Sequence, residues 1–353
     1  MNQSFHPTRA QIKAIGFGII GAMALWCLLW VIAAAQYRNA IDNWIDAGRK
    51  AGYDIDYESR SLFGFPRHVV LRFVNLHWIN TDGIRFKAGT IDIGGATLWQ
   101  THSFEAKFKN HAEIIAPLDD EARSLIMAGE EGSAMVDIES DGTWTLSKIN
   151  LEQPVLGRMP DYVFRANNLH ITADRPFAQP KDHHDAGLTL TSVAQNVIFP
   201  DAMPKSFGTV ATDVQIDLRV MNAVPDFRHA ESIDSWNKSN GIVEIDKLHM
   251  ECGPLQISAK GTLGFDDDLQ PEGAFISTIG KQDELLKALM DAGYIASRQE
   301  TMLESAMRLL AKPKHDDGIK GIEVPIAVQL GGLFLGPVKI ISFPMIEWPK
   351  GEK

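Results

Sequence analysis

Residues 15–35 read IGFGIIGAMALWCLLWVIAAA, with no charged side chain among them. Coiled as a helix at about 1.5 Å per residue, these 21 residues would extend about 31 Å, the thickness of a bilayer's hydrocarbon core. A chain that carries such a run is expected to be anchored in a membrane. Arg9 and Lys13 precede the run and the first acidic residue is Asp42, so the positive-inside rule assigns residues 1–14 to the cytoplasm and the rest to the far side. Cleavage after the small residues Ala33, Ala34 and Ala35 is the competing reading. The run is longer than a signal peptide's apolar core, about 7 to 15 residues, and Trp26 and Trp30 suit a permanent span. Ile41, Trp44, Ile45 and Gly48 continue the helical spacing, which predicts a stalk helix over 36–52 with Gly52 as its C-cap.

Beyond the anchor the two-residue period of half-buried strands takes over. Tyr53, Ile55 and Tyr57 alternate with Asp54, Asp56 and Glu58, and the same signature returns at Phe104, Ala106 and Phe108. Its longest example runs through Val210, Thr212, Val214, Ile216, Leu218 and Val220, facing away from Asp213, Gln215, Asp217 and Arg219. Such sorting of faces fits antiparallel sheet and does not fit the all-apolar strands of a doubly wound parallel one. Gly64 and Pro66 join the first strand pair, Asp141-Gly142 reads as a hairpin turn, and Gly331-Gly332 as another. Three stretches, 174–187, 223–240 and 312–321, read as loops.

Helix is expected in one later hairpin, 281–312. Its first arm presents Leu285, Leu286, Leu289 and Met290 and ends at Gly293; its second opens on a Ser297-to-Glu300 capping box. The fold class is therefore mainly β (α+β): a transmembrane helix, curved antiparallel sheet and a C-terminal helical hairpin. Its β-rich lobes are expected over 53–173 and 188–349. A short motif recurs as Asn75-Leu76-His77-Trp78, Asn168-Leu169-His170-Ile171, Asn196-Val197-Ile198-Phe199 and Lys247-Leu248-His249-Met250.

The net charge of −11 argues against nucleic acid as a partner. With only two cysteines, Cys27 in the span and Cys252 beyond it, neither a disulfide within the body nor a zinc cluster can be built. Labelling of Cys252 would report sidedness, provided that the fold leaves it exposed. Gly16, Gly18 and Gly21 match a dinucleotide fingerprint by letter, but no strand precedes them. Asp137-x-Glu139-x-Asp141-Gly142 starts like a calcium loop, but Lys148 stands where the closing Glu belongs. Asp266, Asp267 and Asp268 read as a solvated turn. His183 and His184 are adjacent and on an extended chain would point apart, which disfavours a shared metal.

Common hydrolase and nucleotide motifs are absent, so no catalytic, cofactor-binding or metal residue and no cofactor is assigned, and the protein is expected not to be an enzyme. The expected role is binding of an apolar ligand such as lipid, with Val214, Ile216, Leu218, Ile257, Leu263 and Ile276 lining a groove. The alternatives are a scaffold for envelope proteins with a closed sandwich core, and an envelope enzyme using scattered residues such as His170 and Asp174.

The order of Leu62-Phe63-Gly64-Phe65-Pro66, Trp236 before Gly241, Cys252-Gly253-Pro254-Leu255, Gly261-Thr262-Leu263, Leu269-Gln270-Pro271-Glu272-Gly273 and Leu335-Gly336-Pro337 resembles a bacterial envelope family, domain of unknown function (DUF) 2125. The resemblance implies an N-terminal anchor and a β-rich body, and carries over no catalytic residue. Cys252 departs from it, standing where the family's tryptophan is expected. More distantly, Gly261 to Phe265 with the acidic turn after it is similar to units of AsmA-like anchored lipid-transfer proteins. The address these readings imply is the inner membrane, with the body in the periplasm.

Overall fold

The computed structural model describes residues 9–95, 103–117, 124–139, 143–176, 178–201, 205–226, 229–295, 301, 303, 305, 312–316, 319–335, 338–346 and 348. Its first element, α1 (Arg9–Lys50), joins the apolar run and the stalk in one unbroken helix of 42 residues. The helix is long and apolar enough to cross a membrane, and its apolar window is 6% buried by the rest of the chain. It ends as the sequence predicts. Gly52 adopts φ +90°, and the Tyr53 N–H donates to the Gly48 carbonyl at 2.9 Å, a left-handed glycine cap.

Among the described residues the rest of the chain builds one antiparallel sheet of twenty strands. β1 (Asp54–Asp56) and β2 (Ser59–Phe63) lie end to end along β3 (Val69–Ile79), and β4 (Arg85–Gly95) and β5 (Ser103–Pro117) follow. β5 is long enough to pair with both β6 (Ser124–Gly129) and β7 (Glu131–Ile138). From there β8 (Trp144–Glu152) pairs with β7 and β9 (Val155–Met159) with β6. β10 (Tyr162–Arg165) then adds to β9 and β11 (Asn168–Asp174) to β8, and β12 (Ala186–Ile198) pairs with both. β13 (Val210–Met221), α2 (Ala230–Lys238), β14 (Val243–Cys252), β15 (Leu255–Phe265) and β16 (Pro271–Gly280) continue the meander. After α3 (Gln282–Asp291) come β17 (Lys312–Asp316), β18 (Ile319–Gln329), β19 (Gly332–Leu335) and β20 (Val338–Ser342). β18 pairs with β16 on one side and with β17 and β19 on the other. Among the described residues β20 pairs only with β19, and β1 and β2 only with β3, so the sheet keeps two open edges.

A crease crosses the first half of this sheet. Asn75, Asn110, His111, Gln153 and Asn196 all have φ between 49° and 70°. Backbone bonds link the rows along the line: His111 N–H to Glu130 O at 2.9 Å, Glu130 N–H to Glu152 O at 3.0 Å, and Gln153 N–H to Asn167 O at 2.8 Å. Asparagine tolerates left-handed backbone because its short side chain can bond locally. The recurrent Asn motif of the sequence thus marks positions at or beside the crease, Asn75 and Asn196 being on it.

Two separate cores cover the ends of one sheet face. The stalk half of α1 buries Ile45 against Ile55, Leu71, Phe73 and Ile91, and the Tyr37 hydroxyl donates to the Ile93 carbonyl at 3.1 Å. Asp42 of the same helix pairs with Arg60 of β2. At the far end Leu285, Leu286 and Leu289 of α3 pack on Ile279, Val324, Ile326, Leu335 and Val338. Each such side chain contributes about 1.5–3 kcal/mol by leaving water.

Several expectations change. The 223–240 stretch is not all loop: it contains α2, whose Ile233 and Trp236 are buried at helical spacing. In the 312–321 stretch, β17 is a strand, and Pro313 is tolerated because among the described residues β17 pairs only with β18. The β18–β19 turn is Leu330-Gly331, both at positive φ, one residue before the predicted glycine pair. β11 and β12 pair from Asn168↔Gln195 to Asp174↔Thr189, so the sheet runs unbroken past the 174–187 loop, with one core in each expected lobe. Of the helical hairpin, α3 is described as predicted and Gly293 ends it at φ +77°, while the Ser297 cap lies outside the described residues, as does the Asp141-Gly142 turn.

Candidate functional site

Register partners in an antiparallel sheet share a face, so the pairings trace where each side chain points. One row runs Leu71, Ile93, Ala106, Ala134, Ile149 and Ile171 from β3 to β11. It goes on through Ser192, Ile216, Leu248, Ala259, Ser277 and Val324 to β18. The adjacent row on the same face begins Phe73, Ile91, Phe108 and ends Met250, Ile257, Ile279, Ile322. Within it the Phe108 ring lies over Gly132, where an added Cβ would come within 2.7 Å of the ring. An apolar lane two residues wide therefore crosses the sheet from the anchor's core to the core under α3. Between those cores Ile149, Ile171, Val214 and Ile216 are only half-buried, while Leu151 and Leu169 of the second row are buried.

The lane deepens into an apolar cavity of about 350 Å³ between α3 and the sheet. Leu248, Met250, Leu255 and Ile257 form its floor, Leu285, Leu286 and Leu289 of α3 its roof, and Phe207 and Tyr294 also line it. This size falls within the roughly 300–1,000 Å³ of small-ligand sites, and among the described residues no ionisable carboxylate or amine lines it.

The opposite face is polar. Arg72 donates to Asp92 at 2.6 and 2.7 Å, and Arg219 donates to both oxygens of Asp246 at 2.7 Å and meets Glu244 at 2.8 Å. Hydrogen bonding to Arg219 holds the Asp246 carboxyl below its ordinary range and raises the guanidinium. At the crease this face opens a polar depression of about 690 Å³ with Lys107, Lys109, Asn150 and His170. There His170 Nδ1 lies 2.6 Å from Asn150 Oδ1.

Of the residues read as groove-lining, Val214, Ile216, Leu218, Ile257 and Leu263 all fall on the apolar face. Ile276 does not join them. It pairs with Lys260 and Pro325, is 51% exposed, and belongs to the polar face beside Asp217 and Lys247. The strand around it, Ala274-Phe275-Ile276, is apolar at both parities, so the sequence leaves its facing open; Phe275 is the residue that turns inward. The lane's first half is not among the expected groove residues, and Leu285, Leu286 and Leu289, expected as an apolar helix face, line the cavity as well.

His170 and Asp174 are four positions apart on β11, about 13 Å along a strand, too far to act on one atom together. Asp182, His183 and His184 could hold a metal ion, since their ligand atoms lie within 4.8 Å of one another on the 174–187 loop. The two imidazoles do not diverge as expected but sit with centroids 4.0 Å apart, because the loop is turned rather than extended. The Asp266 carboxylate accepts from the Asp268 and Gln270 N–H groups at 2.9 and 2.8 Å, the turn predicted there. Cys252 is not exposed: at 1% accessibility it donates to the Phe207 carbonyl at 3.0 Å, and burial pushes its thiol pKa up.

A single long apolar helix carrying an open, one-sided antiparallel sheet defines the class: a β-sheet protein with one apolar face and a membrane-anchor-grade helix. The chain belongs to the DUF2125 family, described as uncharacterized proteins conserved in bacteria, whose model matches residues 30–344. No curated protein and no solved structure matches the chain.

Proposed function

We propose that this is a single-pass inner-membrane protein whose periplasmic body binds lipid acyl chains, taking them along the apolar lane and into the cavity beneath α3. The reading is one of binding, not catalysis. The observation that carries it is the continuity of two rows, apolar except for Ser192 and Ser277, from the anchor's core to a cavity whose described wall is almost wholly apolar. Burial of acyl methylenes there would contribute about 25 cal/mol per Å² of apolar surface.

Native mass spectrometry of the full-length protein, released from nanodiscs, tests it. Lipid should co-isolate with the natural chain, disappear in Ile257→Trp, which fills the cavity floor, and remain in Ile276→Trp on the polar face. Absence of lipid from the natural chain, or a stoichiometric protein companion in its place, would overturn the reading in favour of a scaffold.

A further inference from the structure

The turn joining β2 to β3 is bound to the part of α1 that is expected to lie in the membrane. The indole of Trp26 donates to the Pro66 carbonyl at 3.0 Å and that of Trp30 to the His68 carbonyl at 2.9 Å. Phe65 meets Trp30 edge to face with centroids 5.5 Å apart. Both tryptophans belong to the uncharged run that ends at Ala35, Trp26 nine and Trp30 five residues before its end. At helical rise they lie about 13 and 7 Å below that end, respectively. We propose that this turn is a membrane wedge: Phe63 and Phe65 enter the leaflet adjoining the body, and lipid beside them is the source for the apolar lane. The proposal rests on the anchor and ligand readings above.

The chemistry of the turn matches hydrocarbon rather than water. Leu62 to Pro66 carries no charge, yet Phe63 is 40% and Phe65 54% exposed. Carbonyl groups that enter a bilayer need partners from within the protein. Here the Gly64 carbonyl accepts the His68 N–H at 2.9 Å, and those of Pro66 and His68 accept the two indoles. Arg67, exposed and next to the tip, stands where lipid phosphates would meet it. Directly above the tip β3 leads into the lane: Val69 is buried on the same face, Leu71 is the lane's first member, and Leu71 is at most about 20 Å of extended chain from Phe65.

The test uses the full chain in phosphatidylcholine vesicles with and without doxyl-labelled acyl chains, and one environment-sensitive fluorophore on a single cysteine. Phe65→Cys, in a Cys27→Ser/Cys252→Ser background, should lose fluorescence to the doxyl quencher as strongly as native Cys27 labelled in Cys252→Ser. A label at Leu330→Cys, a position 80% exposed on the β18–β19 turn, should lose none. Phe63→Cys repeats the measurement if the first variant does not fold. A Phe65 label as unquenched as the Leu330 one overturns the wedge, and if lipid still co-isolates the ligand reading survives it. A quenched Phe65 label on protein that carries no lipid leaves the membrane insertion standing and removes its role as a lipid source. An unquenched Cys27 removes anchor and wedge together.

Discussion

Gly241 shows why a residue with no side chain can fix a local structure. The Trp236 indole, buried and donating to the Met221 carbonyl at 2.8 Å, lies so close that a Cβ at 241 would sit 2.2 Å from its ring. Gly241→Ala is expected to cost about 1–3 kcal/mol by overpacking, read from urea denaturation. In a Trp236→Ala background, itself lower by about 3–5 kcal/mol, the same change should cost little, because the two residues share one contact. Equal cost in both backgrounds would deny that contact. The order of Trp236 before Gly241 was legible as a family feature, but its cause was not, since nothing in the letters says that the ring returns over the glycine. Asp246 makes a second residue-scale prediction. Its folded pKa is depressed by Arg219, so the stabilisation is complete above the ordinary aspartate value of about 3.9 and is lost as pH falls through the lower folded value. Both side chains are about 40% exposed, so the pair is worth only about 0.5 kcal/mol. Asp246→Asn should therefore be slightly less stable than the natural chain at neutral pH, and the gap should close in acid. A gap that widens in acid would reverse the assigned sign.

At the scale of elements, the alternation of Val210 to Val220 was enough to place β13, and Leu285, Leu286 and Leu289 enough to place α3. The physical signal fails where elements are short or where parity is ambiguous. α2 has nine residues and two buried side chains, too little period to compete with Pro225 nearby. β17 carries a proline that only a strand without a second partner at that site accepts. The face of Ile276 is decided only by its partners, Lys260 and Pro325, which place it on the polar side. The β18–β19 hairpin offers a test of turn chemistry. Leu330 is held at φ 49° while 80% exposed, next to Gly331 at φ 59°, the geometry of a type I′ turn that favours Asn-Gly. Leu330→Asn should stabilise the protein by about 1 kcal/mol, since left-handed backbone costs a leucine about 1–2 kcal/mol. A lowered denaturation midpoint would show that the leucine side chain makes a contact that outweighs this strain.

For the whole molecule, the decisive property is which side of the membrane holds the sheet, because the lane can meet lipid only by way of the leaflet on that side. Under the proposed function that side is the one opposite the N-terminus, the side expected from Arg9 and Lys13 before the apolar run and Asp42 after it. What the sequence did not disclose is that Cys252, the cysteine expected to report sidedness, is sealed under the Phe207 carbonyl with its thiol pKa raised by burial. A thiol held protonated and out of contact with solvent reacts slowly at neutral pH. A single Leu330→Cys substitution with both native cysteines retained separates the cases. In intact spheroplasts a membrane-impermeant maleimide should label residue 330 at once. Cys27, within the span, and Cys252 should remain silent, Cys252 becoming reactive only in denaturant. Labelling of residue 330 that waits for permeabilisation would place the body in the cytosol. The apolar lane and its cavity would then face the inner leaflet, and a periplasmic role would be lost even though the sheet and its two cores stood unchanged.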